Sequence, residues 1–201
     1  MDASFGRGPT EARVLGSSAA CPVVVDVLSF TAAVGVAEEA GTAVYPYRWR
    51  DGTARAYAEQ RNAAAAVGRS VAALLRNRKA LARRPARQGY GTASRPLAVA
   101  AAGERRPDGS LRPAPEDLPG AGAVLSALCA EGGAAVLTPE ARAAATLWEA
   151  TEDPAAVVHH RGSGRELYEY GYPQDVAVAT EVDTSHTVPV LTDGAFQEAA
   201  A

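Results

Sequence analysis

The sequence predicts an α/β fold, a three-layer α/β/α sandwich around a mostly parallel or mixed sheet. Two apolar runs without alternation, Val23–Leu28 and Leu97–Ala102, are typical of strands that are buried on both faces. Long Ala-, Leu- and Arg-rich segments with strong helix propensity separate and follow them. Strands that alternate with helices favour a layered α/β domain, and the 201 residues suffice for a single domain, residues 1–201.

The first half of the chain predicts a strand–helix–strand unit. Val23–Leu28 is the first strand, followed by a helix that Ser29 or Thr31 can cap and Gly41 can end. The segment TAVYPYRW is predicted to be a second strand that ends near Pro46. We expect a right-handed crossover between the two strands, since parallel neighbours are joined in this way.

The rest of the chain predicts mainly helices around a third strand. Residues Asp51–Arg84 are expected to form one long helix or two helices that meet near Gly68. The strand LAVAAAG follows, then a long loop with a PDG turn, then a helix that begins near Pro119. Thr138 is the predicted N-cap of the next helix, with Pro139 at its first position. Two further short helices and an extended tail with an edge strand are predicted at GSGRELYEYG, PQDVAVATEVD and HTVPVLTDGAF.

Composition excludes several classes of partner. The net charge of −3 gives no electrostatic reason to expect nucleic-acid binding. No apolar run approaches the about 20 residues of a membrane span, so no membrane partner is expected. The opening MDASFGRGPTEA lacks the basic start and apolar middle of a signal peptide, and Cys21 and Cys129 fit buried thiols in a reducing compartment. We therefore expect a cytoplasmic protein.

Acidic residues stand where the buried strands end. Asp26 lies within the first apolar run, where an unpaired acid is costly, and Ser29 and Thr31 follow at a turn whose free amides can bind an anion. A structural acid bonded to backbone amides is the alternative for Asp26. Glu104 and Arg105 directly follow the third strand. Because ligands bind beyond the carboxyl ends of such strands, these residues predict an anion site.

The pair Glu116 and Asp117 closes the loop that Glu104 opens. Adjacent acids are common at helix starts, where they suit the helix dipole, and this is the alternative interpretation. Taken together with Glu104, the pair predicts an oxygen-ligand site for Mg²⁺, which prefers one or two carboxylates plus substrate phosphate oxygens.

The segment Gly162–Leu167, GSGREL, is a third candidate site. Gly162 and Gly164 at a helix start would let backbone amides approach an anion closely, and Arg165 adds a guanidinium fork. An ordinary loop is the alternative. No histidine spacing supports a zinc site, and no phosphate-binding loop or nucleophile-elbow motif is present.

Several stretches that cover most of the chain, in order, carry a family resemblance. They are VVVDVLSFTAAV, YPYRWRD, LRN, AAGERRPDGSLRPAPEDLPGAGAVLSAL and GSGRELYEYGYPQDVAVATEVDTSHTVPVLTDGAF. The long segment from Gly-Glu-Arg to Glu-Asp is the most specific of them. The sequence resembles the 2-phosphosulfolactate phosphatase family, particularly its actinobacterial branch.

The resemblance implies a three-layer α/β/α fold and Mg²⁺-dependent hydrolysis of the phosphate ester of a small sulfonated hydroxy acid. That phosphorylated hydroxy acid is then the expected partner, with a homodimer as a further possibility. By resemblance, the residues on family motif positions are Asp26, Asn77, Glu104, Arg105, Glu116, Asp117, Arg165 and Asp175.

The chain also departs from the family pattern. Members carry a strand and an Asn-Gly-Ser/Thr loop before the LRN motif, whereas here Ala66–Arg69 runs almost directly into SVAALLRN. A strand, its loop and part of a helix are therefore expected to be missing. The absence favours an alternative in which the chain is a non-catalytic relative that keeps an anion pocket and acts as a binding protein.

The hypothesis for the reaction assigns roles to these side chains. A subset of Asp26, Glu116 and Asp117 would hold Mg²⁺. Arg105 and Arg165 would bind the acidic groups of the substrate. Glu104 is the candidate base or else the partner that orients Arg105, and either water or an aspartate such as Asp26 is the nucleophile. The remaining substrate-binding candidates are Ser29, Thr31, Asn77, Gly162 and Gly164, and the catalytic candidates are Asp26, Glu104 and Asp117.

Overall fold

The computed structural model describes residues 2–28, 30–47, 52–64, 75–132, 136–159 and 162–198. The strands are β1 (Asp2–Arg7), β2 (Cys21–Val25), β3 (Leu97–Ala101), β4 (Glu104–Arg105), β5 (Leu111–Arg112), β6 (Val136–Leu137), β7 (Pro189–Thr192) and β8 (Ala195–Glu198). The helices are α1 (Gly8–Gly16), α2 (Phe30–Glu39), α3 (Thr53–Gln60), α4 (Arg78–Arg87), α5 (Asp117–Gly132), α6 (Pro139–Glu149), α7 (Pro154–His159), α8 (Gly162–Glu169) and α9 (Pro173–Ala179). Within these ranges no helix is both long and apolar enough to cross a membrane.

The central sheet is parallel, with the order β2-β3-β1-β6. Strand β3 lies between β2 and β1 and is buried along its whole length, as its uninterrupted apolar sequence predicts. In the register Val25 lies opposite Ala101, so β2 and β3 end together at one edge. Residues that follow these two strands therefore meet at the same place.

Helices cover both faces of the sheet, as expected for an α/β sandwich. On one face, Gly6 lets α1 pack closely, because a Cβ at this position would lie 2.8 Å from side-chain atoms of Glu11 and Leu15. The other face packs on α5 and α6 through a core of small apolar residues. Helices α5 and α6 touch through Gly122, where a Cβ would lie only 2.0 Å from the carbonyl oxygen of Ala144. This close approach compensates for a core that has few aromatic side chains.

Two helix predictions can be checked closely. The Thr138 hydroxyl accepts a hydrogen bond from the Ala141 amide, so Thr138 is the N-cap of α6 as predicted. The single long helix over Asp51–Arg84 is wrong, because α3 ends at Gln60 and turn residues precede α4. The predicted junction near Gly68 and the segment Ala66–Arg69 lie outside the described residues.

As far as it is described, to Tyr47, the predicted second strand TAVYPYRW does not join the central sheet. Its described part makes one isolated bridge, between Val44 and Phe196 of β8. Pro46 lacks the amide that a sheet ladder requires. Tyr47 instead stacks on Tyr57, with ring centroids 4.6 Å apart. The other two strands of the four-stranded sheet are β1 and β6, and sequence reasoning missed both.

The carboxyl-terminal part returns toward the first half of the chain. Strands β7 and β8 form an antiparallel hairpin, which extends the predicted edge strand into a pair. Before the hairpin, the amides of Asp183 and Ser185 donate to the carbonyls of Leu75 and Arg76. This pairing holds the LRN segment beside the loop that leads to β7.

Candidate active site

The site lies at the carboxyl ends of β2 and β3. Asp26 directly follows β2, and Gly103 and Glu104 follow β3. The Ala102 amide donates to the Val25 carbonyl at 2.7 Å, which keeps the two strand ends together. Gly103 has φ +67, a left-handed conformation that glycine adopts without strain, and it turns the chain into the β4–β5 hairpin. The residues predicted to form the site therefore flank one edge of the sheet, the edge at which ligands bind in open α/β sheets.

Asp117 anchors this edge from the first turn of α5. Its Oδ1 accepts a hydrogen bond of 2.8 Å from the Val27 amide, and its Oδ2 accepts one of 2.8 Å from the Gly103 amide. The residue is 1% exposed. Burial, and then the charge of Asp26, raise the pKa of Asp117 well above its usual range, although both hydrogen bonds act in the opposite direction. Asp117 therefore sets the position of both strand ends.

Glu116 is the second buried acid of the site and is 2% exposed. Its Oε2 has no hydrogen-bond partner among the described residues, and the nearby Ser163 side chain acts to lower its pKa. Burial raises the pKa of Glu116 most, and the charges of Glu104 and Asp26 raise it further. Glu116 is thus close enough to be repelled by Glu104 and Asp26, and Asp117 by Asp26 and Glu116.

Arg112 is a site residue that sequence reasoning missed. Its Nη1 lies 3.0 Å from Glu104 Oε2, and its Nη2 lies 2.8 Å from Glu166 Oε1. The pairing Glu104↔Arg112 belongs to the short β4–β5 ladder. Opposite charges at equal distances on either side of the PDG turn were the signal that could have revealed this hairpin and its ion pair.

The two predicted anion-binding arginines are placed differently. Arg105 and Arg165 are both exposed, and neither makes an ion pair with a described residue. They remain free to meet a ligand from solution, but they do not contact the buried acids. Asn77 is 4% exposed, and its Nδ2 donates to the Thr187 carbonyl at 2.9 Å. Its Oδ1 has no partner within the described part of the chain.

The glycines of GSGREL lie inside the first turn of α8. A Cβ at Gly164 would lie 2.0 Å from the Val158 carbonyl oxygen, so close packing against α7 accounts for this glycine. A Cβ at Gly162 would lie 3.2 Å from Arg112 Nη2. Thr31 lies in α2, and Ser29 lies outside the described residues. Asp175, in the first turn of α9, is 6% exposed, and burial raises its pKa.

The donor chemistry of the site suits a hard cation. Glu116 offers a buried carboxylate oxygen without a partner, and Asp26 lies close enough to raise its pKa. Oxygen donors of this kind are those that Mg²⁺ prefers. Among the described residues, no three His, Cys, Asp or Glu side chains form a group that could hold a metal ion. A cation here would therefore bind one or two carboxylates and complete its shell with other ligands.

A known protein family matches most of the chain. The family model for 2-phosphosulpholactate phosphatase matches residues 58–194, more than half of the chain. The match includes Asn77, Glu104, Arg112 and the Glu116-Asp117 pair, and it begins after Asp26. No curated protein matches the sequence. Since the family model covers most of the chain, including the hairpin and the start of α5, this protein belongs to the 2-phosphosulpholactate phosphatase family.

Proposed function

We propose that the chain hydrolyses the phosphate monoester of a small sulfonated or carboxylated hydroxy acid in a Mg²⁺-dependent reaction. The specific reaction is 2-phosphosulfolactate plus water to sulfolactate plus phosphate. Membership of the family supports the phosphatase class. The observation that carries the proposal is Glu116, a buried carboxylate with an unpartnered oxygen beside Asp26 and Glu104.

A cluster of this kind is costly unless it serves a ligand. Burial disfavours the charged form of Glu116 and Asp117, and the Asp26 charge adds to the cost for both. Strongly perturbed acids in a cleft are typical of functional sites. A cation bound among them would remove the repulsion and would let an anionic substrate approach.

In this proposal Mg²⁺ binds Asp26 and Glu116, and the unpartnered Glu116 Oε2 supports that choice. Asp117 was also a candidate ligand, but both of its oxygens already accept backbone hydrogen bonds, which makes positioning its better-supported role. When bound, the ion would polarise a phosphate oxygen and neutralise charge that develops on it. Mg²⁺ commonly binds one or two carboxylates together with substrate phosphate oxygens.

The side chains of the site have separate tasks in this proposal. Glu104 accepts a proton from the attacking water, whose oxygen forms a bond to phosphorus as the ester bond breaks, and that proton then passes to the leaving oxygen of the hydroxy acid. Arg105 and Arg165 bind phosphate oxygens through paired hydrogen bonds. Backbone amides at the start of α2, the helix that contains Thr31, complete the anion site together with Asn77.

Phosphate release tests the proposal. Purified chain is incubated with 2-phosphosulfolactate and with other phosphorylated hydroxy acids, with Mg²⁺ or with EDTA. We expect release that requires Mg²⁺ and that is lost in Glu116→Gln. The matched variant Glu140→Gln changes an exposed acid of α6 and should behave like the wild type. Absence of release from cooperatively folded protein would contradict hydrolysis and would favour a non-catalytic binding protein.

A further inference from the structure

We propose that Arg112 is the residue that recognises the acid group of the substrate, a carboxylate or sulfonate, and that Glu166 occupies this subsite until the substrate displaces it. The inference rests on the proposed function, and it adds a specificity-determining residue to that site. The contacts of Arg112 with Glu104, Glu166 and Gly162 support this role.

The guanidinium of Arg112 already binds a carboxylate in the way it would bind a ligand. Its Nη2 lies 2.8 Å from Glu166 Oε1, and its Nη1 lies 3.3 Å from Glu166 Oε2. Paired contacts of this kind match the planar fork of arginine to two oxygens of one acid group. A substrate carboxylate or sulfonate presents the same pair of oxygens, so Glu166 has the geometry of a resident substitute for it.

The contact between Arg112 and Glu166 can exchange at low cost. The side chains are 36% and 43% exposed, and ion pairs at such positions contribute about 0–1 kcal/mol. Glu166 lies on α8 and can turn into solvent without leaving a buried group unpaired. The contact between Arg112 and Glu104, by contrast, is made within one hairpin and keeps the guanidinium in place when Glu166 leaves.

The position of Arg112 places an acid group beside the reaction site. Glu104 Oε2 lies 3.0 Å from Arg112 Nη1, and the Glu104 charge raises the pKa of Glu116. The Arg112 pKa is itself raised, chiefly by the hydrogen bond to Glu166 and then by the Glu104 charge. Arg112 therefore joins the acids of the site to the start of α8. A substrate that reaches from the acids of the site to Arg112 would place its phosphate near Glu116 and its acid group on the Arg112 guanidinium.

Gly162 keeps this subsite open. A Cβ at position 162 would lie 3.2 Å from Arg112 Nη2 and would crowd the guanidinium. Two N–H groups of Arg112, one on Nη2 and that of Nε, are not used in its contacts with Glu104 and Glu166. The exposed Arg105 and Arg165 have no comparable fixed geometry. Of Arg105, Arg112 and Arg165, Arg112 is thus the one already held in a binding orientation.

Calorimetric titration with sulfolactate, the product of the proposed reaction, tests the assignment in Mg²⁺-containing buffer. We expect Arg112→Gln to weaken binding about ten-fold or more, and Arg112→Lys to weaken it less, because the charge remains while the fork is lost. Glu166→Gln should bind sulfolactate more tightly, since the competing carboxylate has been removed. A role of Glu166 in folding or in fixing Arg112 would give the opposite sign.

A second ion pair provides matched controls. Arg83 and Glu131 pair at 2.7 Å on α4 and α5, with side chains 50% and 31% exposed. Arg83→Gln and Glu131→Gln should leave sulfolactate binding unchanged. The melting temperature of each variant verifies that it is folded. If Glu166→Gln weakens binding as much as Arg112→Gln does, Glu166 is not a substitute for the substrate and the proposal is overturned.

Kinetic measurements distinguish a failure of the Arg112 acid subsite from a failure of the proposed hydrolysis. With 2-phosphosulfolactate as substrate, KM should rise in Arg112→Gln and fall in Glu166→Gln. Sulfolactate binding that follows the expected order without phosphate release would refute hydrolysis and keep the acid subsite. Phosphate release with the same KM in Arg112→Gln and wild type would keep hydrolysis and refute the subsite.

Discussion

Asp117 holds the Val27 amide with its Oδ1 at 2.8 Å and so fixes the segment that follows β2 to the first turn of α5. Its second oxygen holds the Gly103 amide in the same way after β3. One carboxylate thus joins both strand ends to one helix. Because Asp26 and Glu104 each lie next to an anchored segment, the separation of these acids depends on Asp117.

Asp117→Asn should destabilise the protein. An asparagine keeps one acceptor oxygen but presents an NH₂ group to the second backbone amide, which leaves a buried donor unpaired. We expect the free energy of unfolding to fall by about 1–3 kcal/mol in urea titrations. Asp108→Asn is the matched control, because Asp108 is exposed and accepts one backbone hydrogen bond, from Ser110, which asparagine can also accept. Equal stability of both variants would mean that the two-amide anchor contributes little.

Glu116→Gln should stabilise the metal-free protein while it removes the response to ligand. Burial and the charges of Glu104 and Asp26 raise the pKa of Glu116, so the ionised form opposes folding at neutral pH. Replacing it should raise the free energy of unfolding by about 0.5–2 kcal/mol in EDTA. Addition of Mg²⁺ and phosphate should then raise the melting temperature of the wild type but not that of the variant. If Glu116→Gln is less stable than the wild type in EDTA, repulsion of Glu116 by Glu104 and Asp26 does not destabilise the metal-free protein.

The sequence predicted the edge of the sheet at which the site lies, since Asp26, Glu104 and the Glu116-Asp117 pair each directly follow a buried strand or begin a helix. The contacts of Arg112 were not predictable in this way, because they depend on the register of a hairpin with two-residue strands and on the position of α8. For Asp117, the choice between ligand and anchor depends on two amides that are distant in sequence.

The errors in the predicted strands also come from contacts that are distant in sequence. Strand β1, DASFGR, has small and polar residues and little intrinsic strand propensity, and it is a strand because β3 and β6 pair with it on both sides. The segment around Tyr45–Tyr47 has strand-forming residues but contains Pro46, and its aromatic side chains contact Tyr57 and Arg61 instead. In both segments tertiary partners override local propensity.

Glu38 should make stability depend on pH. It is 3% exposed, and neither of its carboxylate oxygens has a partner among the described residues. Burial first, and the Glu198 charge second, raise its pKa from 4.5 to about 7. Because the folded state holds this proton more tightly, stability should be undiminished below pH 4.5 and should fall as pH rises toward 7.

Glu38→Gln should remove most of the pH dependence of the free energy of unfolding, measured in urea titrations across that pH range. Above pH 7 the variant should be more stable than the wild type by at most about 3 kcal/mol. Glu39→Gln is the matched control on the same helix, since Glu39 is partly exposed and pairs with Arg76 at 3.3 Å. It should keep the slope of the wild type. A slope that persists in Glu38→Gln would show that another group titrates.

Gly162 and Gly164 should respond differently to alanine, because their surroundings differ. At Gly164 a Cβ would lie 2.0 Å from the Val158 carbonyl oxygen, a backbone atom that cannot move without shifting α7, so Gly164→Ala should lower the free energy of unfolding by about 1–3 kcal/mol. At Gly162 the nearest atom is the end of the flexible Arg112 side chain, at 3.2 Å, and the exposed helical position favours alanine. Gly162→Ala should therefore keep its stability and weaken sulfolactate binding. Chemical denaturation of the two variants checks the first expectation, and calorimetry checks the second. If Gly164→Ala is as stable as the wild type, packing does not explain that glycine, and a role in binding the substrate becomes the better explanation.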